Sequence, residues 1–389
     1  MARFLALFCI FLALGAAAQD TRLSTWMQDS LHTLGDPGAP AGHTPVDPNT
    51  PQGANTPNEP GTAAPNNAPA RSKTLQDIVL PGSHDAGMSV LTATGGTQAG
   101  TINECNTLTQ VLPVSAQLRQ GIRMFDLRVG TYNGLLYTKH CSSDCMADAI
   151  GGGYGEALAP LLDSIRVFLE AHRGEIVLVT FSHFCEREIA ISALADSVLA
   201  HLGDRVARIT GNPAKIPLPE LAGKVLVTFE GYARRDGSVD SCSIADYSGG
   251  GVNFRRAYAG TDKTARLVAR EALFFQTLGT VHPNDLVRLD WQLTQSSDEA
   301  AMTCNDFQNE KAGALVNGAL LLTNIIRKHQ SILSLSRDGN KLLAARLNDW
   351  IARGLVTPGN KPNILYVDVA GAWITDYCLA LNRSPLYHP

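Results

Sequence analysis

The chain has 389 residues, a formal net charge of −4, eight cysteines and a mean hydropathy near zero. No dense Lys/Arg cluster appears, which argues against nucleic acid as a partner, because phosphate-backbone binding needs concentrated positive charge. No apolar run is long enough to span a bilayer, so no transmembrane segment is expected.

Taken in chain order, Arg3 is followed by the apolar run from Phe4 to Ala18, which ends in small residues. This reads as a secretory signal over residues 1–18, so the mature chain is expected to be extracellular and to start near residue 19. Residues 19–34 carry Leu23, Trp26, Met27 and Leu31 near helical spacing, a short amphipathic helix that either touches membrane or, the favoured reading, caps the domain. Residues 35–71 are rich in Pro, Gly, Asn, Ala and Thr and cannot bury enough surface to offset their ordering entropy; a disordered linker is expected. The folded domain is expected over 72–389, a length ordinary for an α/β barrel.

With Cys9 in the signal, Cys105, Cys141, Cys145, Cys185, Cys242, Cys304 and Cys378 remain. An oxidising compartment favours disulfides, and the odd count leaves at least one thiol over. The Cys141/Cys145 spacing with His140 alone nearby favours a disulfide or an unpaired role over zinc.

Within the domain, β-rich runs at 75–81, 121–129, 135–141, 175–184, 223–232, 286–293 and 363–370 alternate with helical patterns in GEALAPLLDSIRVFLEAHR, REIAISALADSVLAHLG and KLLAARLNDWIAR. Strand followed by helix, repeated, predicts a mostly parallel sheet, closed or nearly closed into a distorted or incomplete TIM-like (β/α)8 barrel; an open doubly wound sheet is the alternative. Strand alternation in GIRMFDLRV places Asp126 and Arg128 on one face and Arg123, Phe125 and Leu127 on the other. The C-terminal strand ends, where such barrels carry their chemistry, offer His84, Asp85, His140, His183, Glu230, Asp290 and Asp368. Plainer readings stand beside these: His183 as a satisfied core histidine, Asp126 with Arg128 as a buried ion pair, and Asp290 as a surface acid beside core Trp291.

LPGSHDAG, then GIRMFDLRVG, LLYTKHC, EIVLVTFSHF, RLDWQLT and NILYVDVA, in that order, resemble the X-domain of the phosphatidylinositol-specific phospholipase C family, closest to its metal-independent bacterial branch. The resemblance implies a secreted enzyme that cleaves an inositol phospholipid at a membrane interface, with no cofactor and no metal. It assigns His84 as general base on the inositol 2-hydroxyl and His140 as general acid on the leaving oxygen. Asp368 backs His84, while Asp85 backs His140 and engages Arg128, which stands where the calcium-dependent relatives carry an acidic metal ligand. Asp126, His183, Glu230, Asp290 and Trp291 are assigned to the substrate side. The pattern departs at Cys141 and Ser142, where glycine is usual, and at FSHF and FEGYARR, where bacterial relatives present basic residues. A monomer is expected. A metal-dependent phosphodiesterase on another phospholipid or glycerophosphodiester, and a catalytically idle headgroup-binding barrel, are the competing functions. Asn382 heads the sequon NRS.

Overall fold

The computed structural model describes residues 72–95, 102–140, 153–183, 190–208, 211–230, 244–246, 253–295, 304 and 331–387. The expected signal, N-terminal helix and linker, together with Cys141, Cys145, Cys185 and Cys242, lie outside the described residues. The strands in chain order are β1 Leu80–Ser83, β2 Ala93–Thr94, β3 Met124–Leu127, β4 Val129–Tyr132, β5 Leu135–His140, β6 Gly153–Ala157, β7 Ile176–Phe181, β8 Lys224–Phe229, β9 Ile244–Asp246, β10 Asn253–Arg255, β11 Asp285–Trp291 and β12 Ile364–Val367. The main helices are α1 Val114–Arg119, α2 Leu158–Ala171, α3 Ile191–Leu202, α4 Thr264–Leu278, α5 Ile332–Ala352 and α6 Ala372–Asn382.

Eight strands form one sheet in the order β10-β11-β12-β1-β3-β7-β8-β9, and each of its pairings is parallel. Read circularly this is chain order, with no β9–β10 pairing among the described residues: an incomplete TIM-like barrel, as expected. Two of its strands, β9 and β10, escape the sequence reading because three residues are too few for a periodic signal. LLYTKHC is corrected: β5 belongs to a separate antiparallel sheet, β2-β6-β5-β4, beside the barrel mouth. The first expected strand is also displaced, because Thr74 and Asp77 close a capping box around the turn Leu75–Asp77, so pairing begins only at Leu80.

Alternation along the parallel strands sorts the core into two layers. Leu80, Met124, Leu178, Leu226, Leu286, Ile364 and Tyr366 belong to one cluster inside the barrel. Phe125, Leu127, Val179, Val227, Leu289 and Val367 face outward and pack with helix residues such as Leu162, Leu194, Leu267 and Trp350. Arg123 follows the outward set and forms a buried ion pair with Glu175 at 2.7 Å. Asn382 is fully buried; its amide accepts from Val79 N at 2.8 Å and donates to Val79 O at 2.9 Å, fastening α6 to the chain just before β1. That amide is out of reach of glycosylation in the folded chain.

Cys105 and Cys304 form a disulfide, and Cys378 is a buried free thiol. No helix among the described residues is long and apolar enough to cross a membrane.

Candidate active site

The turn after β1 is built by its neighbours. Asp85 has φ of 40°, the left-handed region that side chains other than glycine rarely adopt. Its carbonyl accepts from Thr109 Oγ1 at 3.0 Å, and the Ala86 amide donates to the Asp126 carbonyl at 2.8 Å. Gln110 donates to the His84 carbonyl at 2.8 Å and accepts from the Ala370 amide at 2.9 Å, so the ends of β1 and β12 share one clamp. Gly87 is a glycine for a steric reason: a Cβ there would lie 2.3 Å from the Thr138 side chain on β5. That close approach brings the last residue of β5, His140, to the barrel mouth.

The side chains converge on Asp85. His140 Nδ1 lies 2.9 Å from Asp85 Oδ2, Arg128 Nε lies 2.8 Å from Asp85 Oδ1, and His84 Nε2 lies 3.5 Å from Oδ2. Arg128 Nη2 approaches His84 Nε2 at 3.3 Å. On its other side, His84 Nδ1 pairs with Asp368 Oδ1 at 2.7 Å, which places the Nδ1 proton toward the carboxylate and leaves Nε2 to exchange a proton. Asp368 is itself fixed by Ser336 Oγ at 3.0 Å, and Asn340 donates to its backbone carbonyl at 2.8 Å.

Burial pulls the His84 imidazole down, but Asp85 and Asp368 outweigh it and raise it to about 9. The ring is placed for both of its states. Neutral, Nε2 accepts from Arg128; protonated, it donates toward Asp85. Burial pushes the Asp85 carboxyl up, and the surrounding Arg128, His84 and His140 hold it far below the ordinary range.

Asp126 lies deeper in the barrel. Its Oδ1 accepts from Ser182 Oγ at 3.0 Å and its Oδ2 from Tyr366 OH at 2.5 Å. Burial and Asp85 push Asp126 up, while Arg128, His84 and Arg288 together bring it below its ordinary value. Because the single Ser182 proton goes to Asp126, Ser182 Oγ accepts from His183 Nδ1 at 2.9 Å, which fixes the tautomer of that ring. His183 has φ of 54°, and its amide donates to Glu230 at 3.2 Å. Burial, then Arg128, lower its pKa. The ring thus reaches the Asp126 network through Ser182, as a satisfied, part-buried histidine.

Asp290 is buried, yet not as an open acceptor. Arg288 holds it at 2.5 and 3.0 Å, and Arg256 Nη1 lies 3.4 Å from Oδ2. Trp291 departs from its expected place: strand alternation turns it outward, where it donates to the Gly339 carbonyl at 2.9 Å and packs on Trp350. Tyr366 and Arg288 went unnoticed in the sequence, although each stands two residues before an expected site acid and shares its face by alternation. Ser336 and Asn340 had no such signal, since only the fold carries α5 over Asp368.

A donor group from His84, Asp85 and Asp126, within 4.8 Å of one another, has the composition of a cation site. The Arg128 guanidinium already contacts two of its three members, so a fixed organic cation stands where an ion would have to bind.

The sequence matches no protein-family model and no curated protein. Among solved structures, the phosphatidylinositol-specific phospholipase C from Listeria monocytogenes is similar at a TM-score of 0.53 and 14% identity, over 82% of this chain and 97% of that one. A phosphatidylinositol-specific phospholipase C structure from S. aureus is similar at a TM-score of 0.50 and 15% identity, over 80% and 93%. At these identities the likeness establishes the fold class, an α/β chain whose sheet curls into a TIM-like barrel.

Proposed function

We propose that the chain is a phosphodiesterase of the phosphatidylinositol-specific phospholipase C type, acting outside the cell on an inositol phospholipid at a membrane interface. The observation that carries this reading is the pair of histidines meeting at one carboxylate, with an arginine held on that same carboxylate. Both named neighbours have the same barrel.

In the first step His84 Nε2 takes the proton of the inositol 2-hydroxyl, whose oxygen bonds to phosphorus as the bond to the diacylglycerol oxygen breaks. His140, its Nδ1 held by Asp85, gives the Nε2 proton to that leaving oxygen. Diacylglycerol departs and a five-membered cyclic inositol phosphate remains. Two imidazoles suit this exchange because one ring nitrogen can be held by a carboxylate while the other takes or gives the proton. Arg128 meets the charge that grows on the phosphoryl oxygens, a contact worth about 3 kcal/mol of barrier by analogy with single oxyanion donors. Asp368 supports the imidazolium that forms on His84.

The metal-dependent alternative draws on the His84, Asp85 and Asp126 donor set, but it requires displacement of Arg128. Excess EDTA separates the two readings: undiminished turnover supports ours, and lost turnover restored by a divalent cation supports the other. His84→Ala and His140→Gln are expected to lower kcat by about a hundredfold or more. Turnover within twofold of wild type in either folded variant would remove its assigned role, and no turnover by the wild type on any phospholipid would favour the idle barrel.

A further inference from the structure

We infer that Tyr366 is a positioning residue for His84 and Asp126, and that Arg288 and Asp290 beneath it belong to the support of the catalytic pair rather than to the headgroup pocket. The inference rests on the reading of His84 as proton acceptor. Tyr366 precedes Asp368 by two residues on β12 and shares its inward face. Its hydroxyl donates to Asp126 Oδ2, while its ring meets the His84 ring edge-on, with centroids 5.2 Å apart and planes at 73°. The Arg288 guanidinium carbon lies 4.0 Å from the centre of the same ring. Asp290 grips that guanidinium at two points, so the cation cannot swing away from the ring.

Each contact restrains a different motion. With Ser182 on one oxygen and Tyr366 on the other, Asp126 cannot rotate toward Arg128 and loosen its hold on Asp85. With the Tyr366 ring against it, the His84 imidazole cannot tilt off the line to Asp368. Around His84 the facing groups are thus Asp368 on Nδ1, Asp85 and Arg128 on Nε2, and the Tyr366 ring on its flank. Asp290 is held by Arg288 on both oxygens and approached by Arg256 on one, which leaves it a poorer acceptor for a substrate hydroxyl than an unpaired carboxylate.

Two variants separate the hydroxyl from the ring. Tyr366→Phe keeps the ring and is expected to lower kcat about tenfold at unchanged KM and to move the acid limb of the kcat–pH profile. Tyr366→Leu removes the ring as well and is expected to lower kcat about a hundredfold and, at pH 10 where the His84 ring is neutral, to erase the single-tautomer pattern in its imidazole 15N resonances. Folded variants with kcat within twofold of wild type, or a Tyr366→Leu protein with the wild-type 15N pattern, would overturn the inference. Should Tyr366→Leu fail to fold, 3-fluorotyrosine at position 366 preserves shape with a more acidic hydroxyl; a shifted acid limb is then expected, and an unmoved one refutes the role. The 15N measurement uses no substrate, so it decides the place of Tyr366 even if inositol phospholipids are not turned over.

Discussion

At the scale of single residues, the site is a set of paired charges whose balance depends on pH. The folded state raises His84 from its ordinary 6.5 to about 9, so the folded chain holds a proton there that the unfolded chain has lost across that interval. The stabilisation is therefore complete below pH 6.5 and disappears as pH rises through about 9. Chemical denaturation from pH 6 to 9.5 is expected to show falling stability, and Asp368→Asn is expected to flatten that dependence; an unchanged slope would contradict the pairing. As a base, His84 must be neutral, so kcat/KM in the free enzyme is expected to climb from neutrality toward pH 9. Ser336→Ala, which removes one hydrogen bond from buried Asp368, is expected to cost about 1–3 kcal/mol of stability by denaturant titration and to reduce kcat. The five residues proposed as catalytic, which the fold brings together, were picked out in the sequence by their motifs in the order of the phospholipase C family they resemble. Their supports were not, because Ser336, Asn340 and Ser182 are ordinary residues until the fold sets them beside a carboxylate.

Among the secondary-structure elements, the small antiparallel sheet decides whether two histidines make one site. His140 reaches Asp85 only because β5 lies against the turn after β1, and that contact depends on Gly87 meeting Thr138. Gly87→Ala is expected to cost about 1–3 kcal/mol, the usual range for overpacking, and to lower activity more than Gly359→Ala, where an added Cβ would meet nothing closer than 3.5 Å. Equal activity losses in the two variants would show that the approach does not matter. The barrel strands were read correctly where both faces are buried and the apolar run is continuous, as in IVLVTF and KVLVTF. LLYTKH was misplaced because local composition reports a strand, not the sheet it joins. The disulfide pairing of Cys105 with Cys304 was equally hidden: cysteine spacing carries no connectivity.

For the whole molecule, some exposed apolar side chains stand on segments that follow barrel strands: Val90, Val111 and Tyr258 on loops and Trp373 in the first turn of α6. Val90, Val111, Tyr258 and Trp373 are each 36–49% exposed, and Trp373 donates to the Val369 carbonyl just past the end of β12. If the substrate is taken from a bilayer, Trp373→Ala is expected to weaken binding to phospholipid vesicles about tenfold, in line with the ~1.5–3 kcal/mol of burying a large apolar side chain, and to leave catalysis on a soluble substrate unchanged. Unaltered vesicle affinity would place the lipid contact elsewhere. The barrel was visible in the sequence as alternating strands and helices; the circular order, with no β9–β10 pairing among the described residues, was not, since it depends on pairings between distant segments. The central claim, metal-free transfer by His84 and His140 around Arg128, is tested most directly by phosphorus NMR of the products from phosphatidylinositol in excess EDTA. The account predicts a five-membered cyclic inositol phosphate as the first product. An acyclic phosphate as the first product, or no product until a divalent cation is added, would contradict it.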